Sequence, residues 1–170
     1  MSLKTELPIL QYPHEALKRV SAPVEKMDEG ILGFCEDLIY TATRAKNCAG
    51  LAAPQVGVNL RIIVVFFEKK KPLLMINPKI VPPEKIDGIV RTNHMQTVKE
   101  GCLSFPDVWR EIARPNIVGI EYQDINMKVH KQHVTGFFSS LVQHEIDHLD
   151  GIVFTQRKQI TSNRTGDQRG

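Results

Sequence analysis

The sequence predicts an α+β fold in which antiparallel or mixed β-sheets pack around a central helix near the C-terminus. Strand-like segments follow one another directly and helical patterns occur at only two places, unlike the strict alternation of a doubly wound sheet. At 170 residues and 42% hydrophobic content, the chain suits one domain with its own core. We expect that domain to span residues 1–154, followed by a polar tail over 155–170 whose only large apolar residue is Ile160.

The first helix is predicted from about Asp28 to Ala45. Its apolar residues recur at helical spacing and form one stripe, which a neighbouring sheet would bury. The helix leads into a turn at Gly50. The residues of the stripe are Ile31, Leu32, Cys35, Leu38 and Ile39.

Two strands are predicted next. Arg61 to Phe67 is a β-branched and aromatic run, which is typical of a buried strand. Leu73 to Val81 is a second strand, interrupted by Asn77-Pro78. Because proline cannot donate a hydrogen bond to a sheet, the interruption implies an edge strand or a bend.

A loop and three further strands follow. Glu84 to Gln96 is polar and is interpreted as a loop that leads to a strand delivering Cys102. Ile117 to Tyr122 and Lys128 to Val134 predict a hairpin around Asp124 to Asn126, because two strand-forming runs flank residues that favour a turn.

The second helix is predicted over Phe137 to Leu149. Thr135 is its expected N-cap, and the helix ends by Gly151. Apolar residues recur along it, so we expect it to be buried against the sheets as a central element. These residues include Phe137, Leu141, Ile146 and Leu149.

This helix carries a His-Glu-x-x-His pattern at His144, Glu145 and His148. Positions i and i+4 share a helix face, so the two imidazoles can bind one metal ion while Glu145 faces a water molecule on that ion. The pattern is typical of metal-assisted hydrolysis. Taken alone, it is equally consistent with a polar helical turn whose histidines face solvent.

A catalytic metal site uses about three protein ligands and keeps one position open, so a third ligand is needed. Cys102 is the candidate, because it follows a glycine in the strand-like segment Glu100–Pro106. A thiolate with two imidazoles suits zinc or ferrous iron. The other two cysteines are Cys35, interpreted as a buried apolar residue, and Cys48. Three cysteines without a secretory signal favour a reducing compartment over a disulfide framework.

Three segments occur in the order found in one metalloenzyme family. They read Gly-Leu-Ala-Ala-Pro-Gln at Gly50–Gln55, Glu-Gly-Cys-Leu-Ser at Glu100–Ser104 and His-Glu-Ile-Asp-His at His144–His148. In these motifs the chain resembles the peptide deformylases, which remove the formyl group from the N-terminal methionine of new polypeptides. The resemblance extends from Leu7 to about Phe154 and implies the same α+β fold.

The resemblance implies a metal-dependent hydrolase that releases formate. A metal-bound water would attack the formyl carbon, with Glu145 acting as general base and then as general acid. The side-chain amide of Gln55 and the backbone N–H of Leu103 would donate hydrogen bonds to the oxyanion, and Gly50 would bind substrate. Without the other motifs, Gln55 would be interpreted as an ordinary polar residue that ends the turn at Pro54.

The resemblance also implies the cofactor, one divalent metal ion held by Cys102, His144 and His148. Ferrous iron (Fe2+) is the expected ion, and Zn2+, Ni2+ or Co2+ suit the same donors. A thiolate beside ferrous iron would make the activity sensitive to oxygen and peroxide.

Two further acidic residues have expected supporting roles. The resemblance implies that Glu100 pairs with Arg114 and braces the cysteine loop. Asp147 either orients a ligand imidazole or lies in solvent on the helix surface, and the sequence leaves both interpretations open.

Cys48 departs from the family pattern, which has glycine at this position. A side chain here would narrow the peptide-binding cleft, because glycine lets the backbone approach a substrate closely. We interpret Cys48 as an inert packed thiol. If it instead bound the metal as a fourth ligand, the site would be closed and structural.

Two other functions share the metal-binding pattern: an endopeptidase with the same His-Glu-x-x-His core, and a metal module that binds a partner without catalysis. We expect N-formylmethionyl nascent peptides as substrates and a monomer in the cytoplasm, with organellar residence left open. The sequence has no transmembrane run, so no membrane partner is expected. The net charge of +3 lies partly in the tail and in Lys69–Lys71, and would suit a weak attraction to ribosomal RNA.

Overall fold

A computed structural model describes residues 4–68, 71–83 and 94–158 of the chain. It confirms the α+β class, and every pairing between its strands is antiparallel. The α-helices in these ranges are α1 at Glu29–Arg44 and α2 at Gly136–Leu149. The strands in these ranges are β1 at Gly50–Ala52, β2 at Ile62–Glu68, β3 at Lys71–Val81, β4 at Met95–Cys102, β5 at Phe105–Pro115, β6 at Ile117–Gln123 and β7 at Val129–Thr135.

Strands β1, β2, β3, β6 and β7 form one sheet, in that order. At the centre of β2, both faces of the sheet are buried. Successive side chains of a strand point to opposite faces, so they enter different apolar clusters. Ile63 and Val65 belong to the apolar cluster that includes α2, whereas Ile62 and Val64 belong to the cluster that includes α1. All four are fully buried. The continuous apolar run of β2 is therefore typical of a strand that has a helix on each face of its sheet.

The first predicted helix is confirmed. The Asp28 carboxylate caps α1 by accepting a hydrogen bond from the Ile31 N–H at 2.8 Å. Cys35 is buried as expected, and burial raises the pKa of its thiol to about 11. Leu32 was wrongly placed in the apolar stripe, because its side chain is exposed.

The second predicted helix is also confirmed, with Thr135 at the N-cap position of α2. The Thr135 side chain makes no capping hydrogen bond. Leu141, Ile146 and Leu149 are buried as predicted. Phe137 is the exception, because it lies exposed in the first turn, at the mouth of a cleft.

One local prediction was wrong, and another is decided between its two alternatives. Gly50 lies in the edge strand β1, paired with Val65 of β2, rather than in a turn. At Asn77-Pro78 the predicted bend is confirmed, but β3 is no edge strand because it pairs with both β2 and β6. The register of the pairing with β6 shifts between Ile76 and Lys79, so Pro78 falls where the regular pairing is interrupted.

Strand β5 was not predicted from the sequence. It pairs with β4 in a separate two-stranded ribbon that contacts α2. Its buried residues are Ile112 and Arg114, so it lacks the alternation of apolar and polar residues by which strands are recognised. The predicted hairpin, by contrast, is confirmed as β6 and β7.

Part of the sequence prediction lies outside the described residues. This applies to Lys69 and Lys70, to residues 84–93 of the predicted loop, and to residues 159–170 of the predicted tail. The last residues of the loop segment, Met95 and Gln96, begin β4. At the start of the tail, Phe154–Gln156 forms a short 3₁₀ helix.

The C-terminal end of α2 packs on the N-terminal segment. The Leu149 carbonyl accepts a hydrogen bond from the Ser21 N–H at 2.7 Å. Gly151 follows with a φ of +71°, and a Cβ at this position would lie 2.6 Å from the Lys18 carbonyl oxygen. Only glycine allows this approach without strain.

We expect Gly151→Ala to destabilise the protein by more than about 1 kcal/mol, because the added methyl group would strain a positive φ and meet the Lys18 carbonyl. Gly33→Ala is the matched control, since nothing lies within 4 Å of its added Cβ and alanine favours a helix over glycine by about 1 kcal/mol. Urea unfolding measures both free energies. A Gly151→Ala protein as stable as the wild type would contradict the expected strain.

Candidate metal centre

Helix α2 and strand β4 bring three candidate metal ligands together. His144 and His148 lie one helical turn apart on α2, and Cys102 is the last residue of β4. One donor atom from each of the three lies within 4.8 Å of the other two. The Cys102 Sγ lies 3.3 Å from the His148 Nε2. Cys102 and His144 are 42 positions apart in the sequence, yet they meet with His148 in the cluster that the motifs predict.

His144 is oriented by an acidic side chain. Its Nδ1 lies 2.9 Å from Glu100 Oε2, so the Nε2 remains for a metal ion. The Phe154 ring packs on the imidazole with a centroid distance of 5.7 Å. His148 is fully enclosed, and its Nδ1 has no hydrogen-bond partner among the described residues.

The expected pairing of Glu100 with Arg114 is confirmed. The Arg114 guanidinium donates from Nε to one carboxylate oxygen and from Nη2 to the other, the second bond at 2.9 Å. Burial acts to raise the pKa of Glu100, but the hydrogen bonds from Arg114 and His144 outweigh it and lower the pKa to about 2. Glu100 therefore remains ionised and holds the ribbon against α2.

Asp147 is neither solvated nor in direct contact with a ligand imidazole. Its carboxylate is buried rather than solvated, and it contacts arginines rather than a ligand imidazole. Arg114 Nη1 donates to Oδ2 at 3.0 Å, and Arg157 donates to both oxygens. The acid that orients an imidazole is Glu100, two residues before the cysteine ligand on β4.

Glu145 lies beside the cluster with one unpaired oxygen. The side chain is buried, and its Oε2 has no hydrogen-bond partner within the described part of the chain. Burial raises the pKa of the carboxyl to about 7. Gly50 faces it so closely that a Cβ there would lie 2.6 Å from Glu145 Oε1. A side chain at position 50 would therefore displace this carboxylate.

The Gln55 amide is held in one orientation. Its Oε1 accepts a hydrogen bond from the Ala52 N–H at 2.9 Å, which leaves the NH₂ group facing Cys102 and Ser104. The NH₂ group lies 3.5 Å from the Cys102 Sγ and 3.2 Å from the Ser104 Oγ. Leu103 is the first of the two residues that join β4 to β5. Both predicted oxyanion donors thus lie beside the sulfur ligand.

The N-terminal segment forms backbone hydrogen bonds both to Gln55 and to Ser104, which follows Cys102 in the β4–β5 connection. The Leu10 N–H donates to the Gln55 carbonyl at 2.7 Å, and the Tyr12 N–H donates to the Ser104 carbonyl at 2.9 Å. These contacts were not predicted, because backbone hydrogen bonds leave no side-chain pattern in a sequence.

A cleft of about 560 Å³ opens onto Gln55, Cys102 and Glu145. The segment before β1, the β4–β5 ribbon and the first turns of α2 line it. Trp109 and Phe137 are exposed at its rim. The predicted site residues that line the cleft are Gly50, Gln55, Cys102, Leu103, His144 and Glu145.

Cys48 also lines the cleft but takes no part in the cluster of donors. Its S–H donates to the Gly50 carbonyl at 3.3 Å, and burial raises the pKa of the thiol to about 12. A protonated, hydrogen-bonded thiol is a poor metal ligand. Within residues 4–68, 71–83 and 94–158, the cluster has three members, which suits an open, catalytic site rather than a closed one.

The donor set fits the metal ion that the sequence implies. One sulfur and two imidazole nitrogens converge, and one imidazole has a carboxylate on its other nitrogen, as metal-binding histidines commonly do. The family model for polypeptide deformylases matches residues 6–164. The chain belongs to the peptide deformylase family. Its activity is that of a peptide deformylase, a metal-dependent hydrolase that acts on formylated N-terminal peptides.

Known peptide deformylases are similar over most of their length. The peptide deformylase of Desulforudis audaxviator is 39% identical over 149 residues, which cover 88% of this chain and 91% of that protein. The peptide deformylase of Novosphingobium aromaticivorans is 34% identical over 169 residues, with coverages of 86% and 85%.

Solved peptide deformylase structures share the fold. The Thermotoga maritima crystal structure gives a TM-score of 0.81 at 30% identity and covers 92% of this chain and 99% of that chain. A Met-Ala-Ser-bound class I type b peptide deformylase from Acinetobacter baumannii gives 0.79 at 28% identity, with coverages of 92% and 100%.

The described helices also bear on membrane association. Neither α1 nor α2 combines the length and the apolar character that a membrane crossing requires.

We expect Cys102→Ala to lose its metal ion on dialysis, because the two remaining imidazoles form an incomplete ligand set. Cys48→Ala is the matched control and should retain one metal ion per chain, since it removes a thiol from the same cleft without changing the cluster. Elemental analysis after dialysis measures the metal content. Equal metal loss in both variants would mean that Cys48 is a ligand.

Proposed function

We propose that this peptide deformylase hydrolyses the formyl amide of N-formylmethionyl peptides, with Glu145 moving the proton and with Gln55 and Leu103 stabilising the oxyanion. The observation that carries the proposal is the buried Glu145 carboxylate, whose Oε2 has no partner among the described residues and which adjoins the three-ligand cluster. A buried carboxylate oxygen without a partner is costly, so a role in binding a reactant explains its presence.

Cys102, His144 and His148 are proposed to hold one divalent metal ion, and Fe2+ is the ion we propose. Zn2+, Ni2+ and Co2+ accept the same sulfur and nitrogen donors. When bound, such an ion lowers the pKa of a water molecule toward neutrality and so supplies the nucleophile at physiological pH. The remaining steps depend on the side chains of the protein.

Glu145 is proposed to act first as base and then as acid. It takes a proton from the water that attacks the formyl carbon, and later gives a proton to the nitrogen of the departing amine. The carbon–nitrogen bond breaks, and the products are formate and a free N-terminal amine. Gly50 supports this role because it leaves space for the carboxylate, with no Cβ to displace it.

Gln55 and Leu103 are proposed to donate hydrogen bonds to the oxyanion that forms on the formyl oxygen. The Ala52 N–H holds the Gln55 carbonyl oxygen away from the cleft, so Gln55 offers only its NH₂ group to a reactant. Because a donor fixed before the reaction needs no reorganisation during it, this arrangement favours the charged intermediate over the neutral substrate.

The cleft is proposed to bind the formylmethionyl end of nascent polypeptides, with Gly50 in contact with the substrate backbone. The Acinetobacter baumannii relative with bound Met-Ala-Ser supports a peptide of this kind as ligand. We further propose that the protein is a monomer in the cytoplasm, and that its net charge of +3 gives a weak attraction to the ribosome.

We expect Glu145→Gln to lower kcat by about 10²–10⁴-fold, because the amide cannot take up the proton. Metal content should not change, since Glu145 is no ligand. Gln55→Ala should lower kcat by about 10²–10³-fold through loss of one oxyanion donor. Formate release from formyl-Met-Ala-Ser measures both.

The exposed acid Glu36 on α1 provides the control, as Glu36→Gln should keep full activity. Retention of more than about a tenth of kcat in Glu145→Gln would exclude the proposed proton transfer. Cleavage of an internal bond in a longer, unformylated peptide would favour the endopeptidase alternative instead.

We expect protein purified without oxygen to contain iron and to lose activity with hydrogen peroxide, because a thiolate ligand beside Fe2+ is readily oxidised. The nickel-loaded protein should lose activity more slowly under the same treatment, because Ni2+, unlike Fe2+, does not readily reduce peroxide. Elemental analysis and formate release before and after peroxide measure the effect. Full activity with zinc as the bound metal after anaerobic purification would overturn the choice of iron.

A further inference from the structure

The segment that follows α2 contacts the metal site by two routes. Phe154, which is almost completely buried, packs its ring on the His144 imidazole. Arg157, three residues later, reaches back to Asp147 on α2. The sequence analysis placed Arg157 in the polar tail. The mechanism proposed above does not use its contact with Asp147.

Arg157 begins a continuous chain of hydrogen bonds that ends on a metal ligand. Its Nε donates to Asp147 Oδ2 at 3.0 Å and its Nη2 donates to Oδ1. Arg114 Nη1 donates to the same Oδ2 at 3.0 Å, and its Nε and Nη2 donate to the Glu100 carboxylate. Glu100 Oε2 lies 2.9 Å from His144 Nδ1.

The charges in this chain alternate, and Arg157 completes the alternation. Asp147 lies between two guanidinium groups, and Glu100 lies between a guanidinium group and an imidazole. The Asp147 side chain is only 8% exposed with Arg157 in place, and without Arg157 its Oδ1 would lose the donor that it contacts. Losing a donor is costly for a carboxylate, and the other cation that Asp147 contacts among the described residues is Arg114. Asp147 would then compete with Glu100 for the same guanidinium.

We propose that Arg157 is a positioning residue for the metal ligand His144. By holding Asp147, it keeps Arg114 on Glu100 and thereby keeps Glu100 on the ligand imidazole. This inference rests on the proposed metal site, and it extends that site beyond the three recognised motifs into the segment after α2. Outer hydrogen-bond partners of metal ligands commonly change metal affinity or activity by about 10–100-fold when they are removed.

A second ion pair at the same end of α2 provides a matched control. Arg61 Nη1 lies 2.7 Å from Asp150 Oδ1, at the C-cap of the helix. This pair also joins an arginine to an acid of the α2 terminus. No described hydrogen bond links Asp150 to Arg114 or to Glu100, so the loss of Arg61 does not affect the chain that ends on His144.

The test compares Arg157→Ala, Arg157→Lys and Arg61→Ala in the Co2+-loaded protein. The rate of Co2+ release to a chelator, the Co2+ absorption spectrum, and kcat and KM for formyl-Met-Ala-Ser are measured, together with Tm. We expect Arg157→Ala to release Co2+ about 10-fold faster, to change the spectrum and to lower kcat while KM stays within about two-fold. Arg157→Lys should recover part of the loss, because an ammonium group restores the charge but cannot bridge both carboxylate oxygens.

Arg61→Ala should leave Co2+ release, the spectrum and kcat unchanged, whatever it does to Tm. The effect of Arg157→Ala should nearly vanish in the Asp147→Asn background, because the chain is already broken there. Equal Co2+ release from Arg157→Ala and Arg61→Ala would overturn the inference, and so would fully additive effects with Asp147→Asn. If the wild-type protein bound no Co2+, the proposed function would fail instead, so the two failures are distinguishable.

Discussion

The buried carboxylate of Glu100 is the contact on which the rest of the site depends. It joins the β4–β5 ribbon to α2, because it holds Arg114 of β5 with one set of bonds and His144 of α2 with another. A buried ion pair adds little net stability, since desolvation offsets most of the attraction, but loss of one partner costs about 3–5 kcal/mol. The pair therefore acts mainly to fix geometry. It sets the distance between the strand that carries the thiol and the helix that carries the imidazoles.

Helix α2 buries many polar side chains, whereas most buried helices carry mainly apolar ones. Leu141, Val142, Ile146 and Leu149 pack against the sheet, while the histidines and acids of the same helix are buried on other sides. Burying so many polar groups is tolerated because nearly all of them have partners among the described residues. The few atoms without a partner include Glu145 Oε2 and His148 Nδ1, both at the cluster. Of these two, Glu145 Oε2 belongs to a residue that lines the cleft, where a reactant would bind.

Sequence reasoning succeeded where the signal was local and failed where it depended on tertiary contacts. Both helices and the β6–β7 hairpin follow from periodicity and turn residues within a short window. β5 carries no such signal because its main partner is β4 rather than the core. Asp147 was misjudged for a similar reason, since its partners Arg114 and Arg157 lie 33 residues before it and 10 residues after it in the sequence. The predicted cluster of Cys102, His144 and His148 is confirmed, because binding one metal ion requires the three side chains to meet.

The packing of Gly151 against Lys18 restricts local unfolding at the C-terminal end of α2. The last turn of α2 is covered by the N-terminal segment, through the Ser21 to Leu149 hydrogen bond and the close approach of Gly151. That turn carries His148, so the ligand cannot leave its place by simple fraying of a helix end. Its amides should exchange with deuterated solvent mainly through openings that also break the contacts with Lys18 and Ser21. Local unfolding of the metal-binding helix is therefore coupled to release of the segment around Lys18 and Ser21.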